Sequence, residues 1–194
     1  MKILDNAFFE RSPLEVAPDL IGKILVRKYN DQIISGSIIE VEAYLAITDS
    51  ASHSFKGKTQ RNQSLFGDAG RTYIHSIHQQ HCIDIVTQGV GIPSSVLIRA
   101  LERIDGIDLM KKFRGLEHLK DLTSGPGKLC SALNITKELN GINVTDENSQ
   151  ITLFADGCKF LNIVKGKRIG ITKSTELEYR YYVNNNPFLS RKKG

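Results

Sequence analysis

No run of apolar residues in this 194-residue chain approaches the roughly 18 that a membrane-spanning helix needs. The opening MKILDNAFFERSP scatters charges among its apolar residues and lacks the unbroken apolar stretch of a secretory signal. Both absences lead to the expectation of a cytoplasmic protein with no membrane partner. Cysteine is scarce: Cys82, Cys130 and Cys158 make an odd count without CxxC spacing. That argues against a disulfide framework and suits small buried thiols in a reducing compartment. Internal repeats, low-complexity tracts and linker-like stretches are missing as well, so one domain over 1–194 is expected. A chain of this length can close a substantial hydrophobic core without metal or disulfides.

Positive charge is what the chain has in excess, with 26 Lys and Arg against 21 Asp and Glu, a formal charge of +5. Such a balance suits a polyanionic partner, because lysines and arginines that neutralise phosphates release counterions. The terminal SRKKG, as a solvated end, accounts for part of the same excess.

Turn formers and apolar periodicity set out the elements. Ser12-Pro13-Leu14-Glu15 has the grammar of a helix start, with Ser12 as N-cap and Glu15 closing a capping box. Residues 21–30 and 32–45 are rich in β-branched side chains and separated by Asn30-Asp31, which predicts a hairpin. From 46 to 71 the chain is polar and glycine-rich, a loop long enough to signal function. TYIHSI (72–77), CIDIVTQ (82–88) and SSVLIRAL (94–101) read as strands, the first two joined through HQQH. Helical spacing over 106–122 and turn chemistry opening SGPGKLCSAL (124–133) predict two helices. ITLF (151–154), KRIGIT (167–172) and YRYYV (179–183) close the chain as short strands. Together these predict one α+β domain with a largely antiparallel sheet.

In SIIEVEAYL (37–45), alternation puts Ile39, Val41, Ala43 and Leu45 on one face and Glu40, Glu42 and Tyr44 on the other. The apolar set faces the core. The polar set is open to two readings: a solvated outer face, or a pocket floor with a carboxylate base and an aromatic stacking plate.

LIGKILVR (20–27), EVEAYL (40–45), SASHS (50–54), QRN (60–62), VLIRALE (96–102), SGPGKLCSALNI (124–135) and NNNPFLS (184–190) are collinear. In that order they resemble the alkyladenine (3-methyladenine) DNA glycosylases over about residues 6–190. The resemblance implies a curved antiparallel sheet with flanking helices and a protruding β-hairpin. It also implies a monomeric, cofactor-free enzyme of base excision repair, nucleoid-associated if bacterial, acting on double-stranded DNA with alkylated purines.

By this resemblance Glu42 is the general base and Arg99 positions water and the flipped nucleotide; an ordinary ion-pair arginine is the other reading of Arg99. Tyr44 stacks on the base and His53 lies on its other side, where a loop histidine bonding backbone is the alternative. No lysine in the matched catalytic segment is placed as a Schiff-base nucleophile, which implies base release without strand cleavage. Asp84 falls where the family usually has an asparagine that discriminates against guanine's 2-amino group. An acceptor-only carboxylate there could attract that group instead. A lesion-binding protein with little hydrolytic activity is the alternative function.

YIHSIHQQHCID (73–84) spaces His75, His78 and His81 by three. A metal site needs convergent ligands, which a strand does not supply from such spacing, so no metal is expected. The resemblance makes this segment a hairpin entering the minor groove. It places His75 as a second stacking wall and His78 as the wedge, with Gln79, Gln80 and His81 as polar contacts. Lys56, Lys58, Arg61, Arg71 and Lys128 are further candidates to meet phosphates.

Overall fold

The computed structural model describes residues 2–155 and 162–190. The chain opens with two short helices, α1 (Asn6–Phe9) and α2 (Pro13–Leu20). The second begins as its sequence dictates: the Ser12 side chain accepts from the Leu14 amide, and Glu15 reaches back to the Ser12 amide at 3.2 Å. Strands β1 (Ile24–Tyr29) and β2 (Gln32–Tyr44) then form the expected hairpin. Asn30 and Asp31 turn it with φ of 43° and 61°, the backbone twist that two-residue hairpin loops favour.

A second hairpin joins β3 (Thr72–Ile77) to β4 (Gln80–Thr87). Its turn is shorter than HQQH: only His78 and Gln79 lie outside the ladder, at φ of 47° and 65°. The remaining strands are β5 (Ser94–Asp105), β6 (Ile151–Phe154), β7 (Ile163–Gly166) and β8 (Arg180–Val183). They order as β3-β4-β5-β2-β1-β6, with β8 pairing with β2 along Glu40–Glu42 and with β7. Every pairing of these strands is antiparallel. Register shifts between β2 and β5 at Ser35/Gly36 and around Ile38–Val41 mark irregularities of the kind that bend and twist a strand, and the sheet curls.

Helix α2 packs over β2 and β5; α4 (Pro126–Ala132) covers β4 and β5, with α3 (Ile107–Arg114) against it. Ile38, Ile39, Val41, Ile83, Ile85, Ile98 and Leu101 are wholly buried, each worth about 1.5–3 kcal/mol of transfer free energy. The architecture is the expected α+β fold. Cys82 and Cys130 are buried thiols, whereas Cys158 and the terminal residues 191–194, three of them basic, lie outside the described residues.

Two expected elements differ. The helix predicted within 106–122 ends at Arg114, because Gly115 adopts φ 59° and its amide closes the helix onto Lys111 and Lys112. The strand predicted at 167–172 does not form, and Ile163–Gly166 pairs instead. Residues 167–172 run as a loop because their polar groups are used elsewhere: Arg168 bonds to Asp49, and the Ile169 amide bonds to Glu42.

Candidate active site

Residues 34–43 of β2 are buried on both faces, so Glu40 and Glu42 do not look onto solvent. The outer-face reading of this strand is thereby removed, since Arg99, Arg180, Ser190 and the Ile169 amide close over the two glutamates. The two carboxylates are equally buried but differently occupied. Glu40 accepts four hydrogen bonds, from Arg99 Nε, Arg180 Nε, and the Ser190 hydroxyl and amide. Glu42 accepts two, from the Ile169 amide at 2.7 Å on Oε1 and the Tyr44 hydroxyl at 2.9 Å on Oε2, and Arg99 Nη1 stands 3.1 Å from Oε1 as its ion-pair partner. A carboxylate offers about four acceptor sites; Glu40 takes four bonds, three of them on Oε1, whereas Glu42 takes fewer and keeps a site on Oε2.

Burial pushes the Glu42 carboxyl above its ordinary pKa, against the pull of Arg99, the Ile169 amide and the Tyr44 hydroxyl. Such a carboxylate is basic enough to take a proton from water. Arg99, nearly as buried, bridges both glutamates and also reaches Ser190 Oγ at 3.3 Å. The ion-pair reading of Arg99 thus holds for Glu40 and Glu42, and the guanidinium also lines the cavity described below.

Tyr44 is braced from behind by residues that local sequence reasoning missed. The Arg168 guanidinium stands 4.5 Å from the Tyr44 ring centroid and 5.4 Å from that of Tyr179. Asp49 fixes it through both carboxylate oxygens, one bond from Arg168 Nη2 being 2.8 Å, and Arg168 also donates to the Ala43 carbonyl. Asp49 is 119 residues from Arg168, so no local spacing announces the pair.

In front of Tyr44 and Arg99 opens a cavity of about 990 Å³. Its wall on β3 and β4 is a cluster of rings. The His75 ring stacks on that of Tyr73 at 5.2 Å and 25°, and His53 meets it edge-on at 4.5 Å. His53 Nδ1 lies 3.1 Å from the Tyr73 hydroxyl, so it bonds to a side chain rather than to backbone. Burial, and then the neighbouring His75, lower the His53 pKa, while Asp84 opposes. Asp84 reaches the same wall with both oxygens engaged, Oδ2 with His75 Nε2 and Oδ1 with the Ser95 hydroxyl, each at 3.0 Å. Burial and Asp84 push the Cys82 thiol up to about 12.

The hairpin tip presents Ile77, His78 and Gln79, all exposed. Gln80 leans from β4 onto the start of α4, where a Cβ on Gly127 would come within 2.0 Å of its Oε1. Lys128 lines the cavity with its ammonium on Asp121 Oδ1 at 2.9 Å, and Arg61 donates to the Ser76 carbonyl at 3.0 Å. The three spaced histidines point apart: His75 Nε2 to Asp84, His81 Nδ1 to Ser76 Oγ, His78 at the turn. Among the described residues no group of three or more His, Cys, Asp or Glu is arranged to hold a metal ion. Nor is any described helix long and apolar enough to cross a membrane.

The family model for methylpurine-DNA glycosylase matches residues 7–187. The chain belongs to that family. It is similar to a Francisella tularensis protein named "Putative 3-methyladenine DNA glycosylase", 42% identical over 190 residues, covering 96% of this chain and 98% of the relative. Proteins of the same name from Alkaliphilus oremlandii (41% over 202 residues, 97% and 99%) and Chlorobium phaeobacteroides (42% over 202 residues, 100% of each) are similar to it as well. Methylpurine-DNA glycosylases are hydrolases of N-glycosyl bonds, and the family assignment agrees with a carboxylate set behind an aromatic cavity.

Proposed function

We propose that this protein is a monofunctional glycosylase that flips alkylated purines, such as 3-methyladenine, out of duplex DNA and hydrolyses their glycosidic bond. One observation carries the reading: Glu42, wholly buried, keeps an unfilled acceptor site while bonded to two side chains, Tyr44 and Arg99, that line the cavity. Glu42 takes the proton of a water that attacks the sugar carbon, and its charge stabilises the oxocarbenium-like transition state. Arg99 keeps that carboxylate oriented and helps hold the water. Glu40, with Arg99 and Arg180 on one oxygen, serves as the anchor of the arginines.

The target base must leave the stack before its glycosidic bond is reachable. Tyr44 then forms one side of its pocket and the His53, His75 and Asp84 wall the other. At the tip, His78 and the exposed apolar Ile77 wedge into the stack, a trade of unstacking energy for a distorted duplex. Gln79, Gln80, Arg61 and Lys128 border this path and meet the DNA. The attacking group is water rather than an amine; Lys128 on α4, which lines the cavity with Lys56 and Lys173, is held by Asp121 and Ser124.

The test is the set of bases released from methylated, deaminated and etheno-adduct duplexes, with strand scission and borohydride trapping followed in parallel. Release of 3-methyladenine with intact strands supports the proposal. Tight binding to damaged duplex without any release under enzyme excess would select a lesion-binding protein instead. A borohydride-trapped adduct would show that a lysine attacks.

A further inference from the structure

Among the described residues, all but one of the buried carboxylates around the site have an arginine against them. Glu40 is paired with Arg99 and Arg180, Glu42 with Arg99, and Asp49 with Arg168. Asp84 is 4% exposed, and its ion-pair partner is His75, itself 5% exposed. Among the described residues no arginine or lysine pairs with Asp84; its oxygens meet the His75 ring and the Ser95 hydroxyl.

We infer that Asp84 is a specificity-determining residue: its carboxylate is the counter-charge for a cationic purine in the cavity. The inference rests on the glycosylase reading above. A purine alkylated at N3 or N7 carries a positive charge in the nucleotide, whereas hypoxanthine carries none. A wall of stacked rings backed by an uncompensated carboxylate discriminates between the two, since a unit charge acts strongly across a desolvated gap.

The other charged and titratable neighbours do not cancel it. Glu42 and Arg99, from β2 and β5, form a compensated pair. Cys82 on β4 and Cys130 on α4 stay neutral thiols, because burial raises both. Tyr73 on β3 stays a neutral phenol, its pKa raised by burial and by Asp84. From the 46–71 loop, His53 stays neutral near pH 7, and Arg61 is exposed, where solvent and salt screen it.

The experiment measures release of 3-methyladenine and of hypoxanthine from otherwise identical duplexes, read as a ratio of rates at one pH. The wild type should favour 3-methyladenine. Asp84→Asn should lower the ratio roughly tenfold, whatever its absolute rates. His75→Gln, which keeps the Asp84 carboxylate, should keep the preference. An unchanged ratio in Asp84→Asn overturns the inference. Should that variant fail to fold, a His75→Gln protein without preference for 3-methyladenine overturns it as well. A wild type that releases neither base overturns the glycosylase reading and this inference with it.

Discussion

The Tyr44 hydroxyl donates to Glu42 Oε2 at 2.9 Å, from a ring two residues further along the same face of β2. The proposed stacking plate is thus also one of three groups that hold the proposed base ionised. Removing a donor to the charged form raises a carboxyl pKa. Glu42 works deprotonated, so activity is present above its pKa and fades as pH falls through it. In the wild type the acid limb of kcat/KM should lie above the roughly 4.3 of an unperturbed glutamate. In Tyr44→Phe, which keeps the ring, the limb should move higher still; an unmoved limb would detach Tyr44 from the base.

Asp49 holds Arg168 against the back of Tyr44 with both oxygens, and both side chains are fully buried. Asp49→Ala leaves that guanidinium buried without its partner, a loss of about 3–5 kcal/mol. For a chain of this size the melting temperature should fall by roughly 10 °C, a shift that thermal unfolding followed by circular dichroism resolves.

Much of this was legible in the sequence because it is local. The capping box at Ser12–Glu15 and the Asn30-Asp31 hairpin are patterns within a few residues, and both are in the structure. The collinear segments resembling alkyladenine glycosylases likewise pointed to Glu42, Arg99, Tyr44, His53, His75 and Asp84, which the fold gathers around one cavity or directly behind it. What stayed hidden is long-range. Glu40 and Glu42 look alike in EVEAYL, and only the chain's far end, with Arg180 and Ser190, fills one and leaves the other an open site. Residues 167–172 alternate like a strand, yet their amide and guanidinium groups are drawn to Glu42 and Asp49, 127 and 119 residues away. The Asp84–His75 pair sits nine residues apart across a hairpin whose register depends on a turn of two residues.

That turn has a measurable cost. His78 and Gln79 both hold positive φ without being glycine, a conformation that costs an L residue about 1–2 kcal/mol. Gln79→Gly should stabilise the protein by about 1 kcal/mol in urea unfolding. Ile77→Ala, at the exposed shoulder of the same tip, should instead weaken binding to damaged duplex several-fold while leaving single-turnover release from bound DNA close to wild type. Equal losses in binding and release would place Ile77 in the chemistry rather than in probing the stack.

The central claim is that Glu42 is the general base. Its most direct test is single-turnover release of 3-methyladenine from methylated duplex by the wild type and by Glu42→Gln, with DNA affinity measured on the same preparations. Glutamine preserves the size of the side chain and can accept from the Ile169 amide, but it cannot take a proton from water. Release should fall by at least ~10²–10⁴-fold with affinity retained. Release at the wild-type rate by a folded, DNA-binding Glu42→Gln protein would contradict the account.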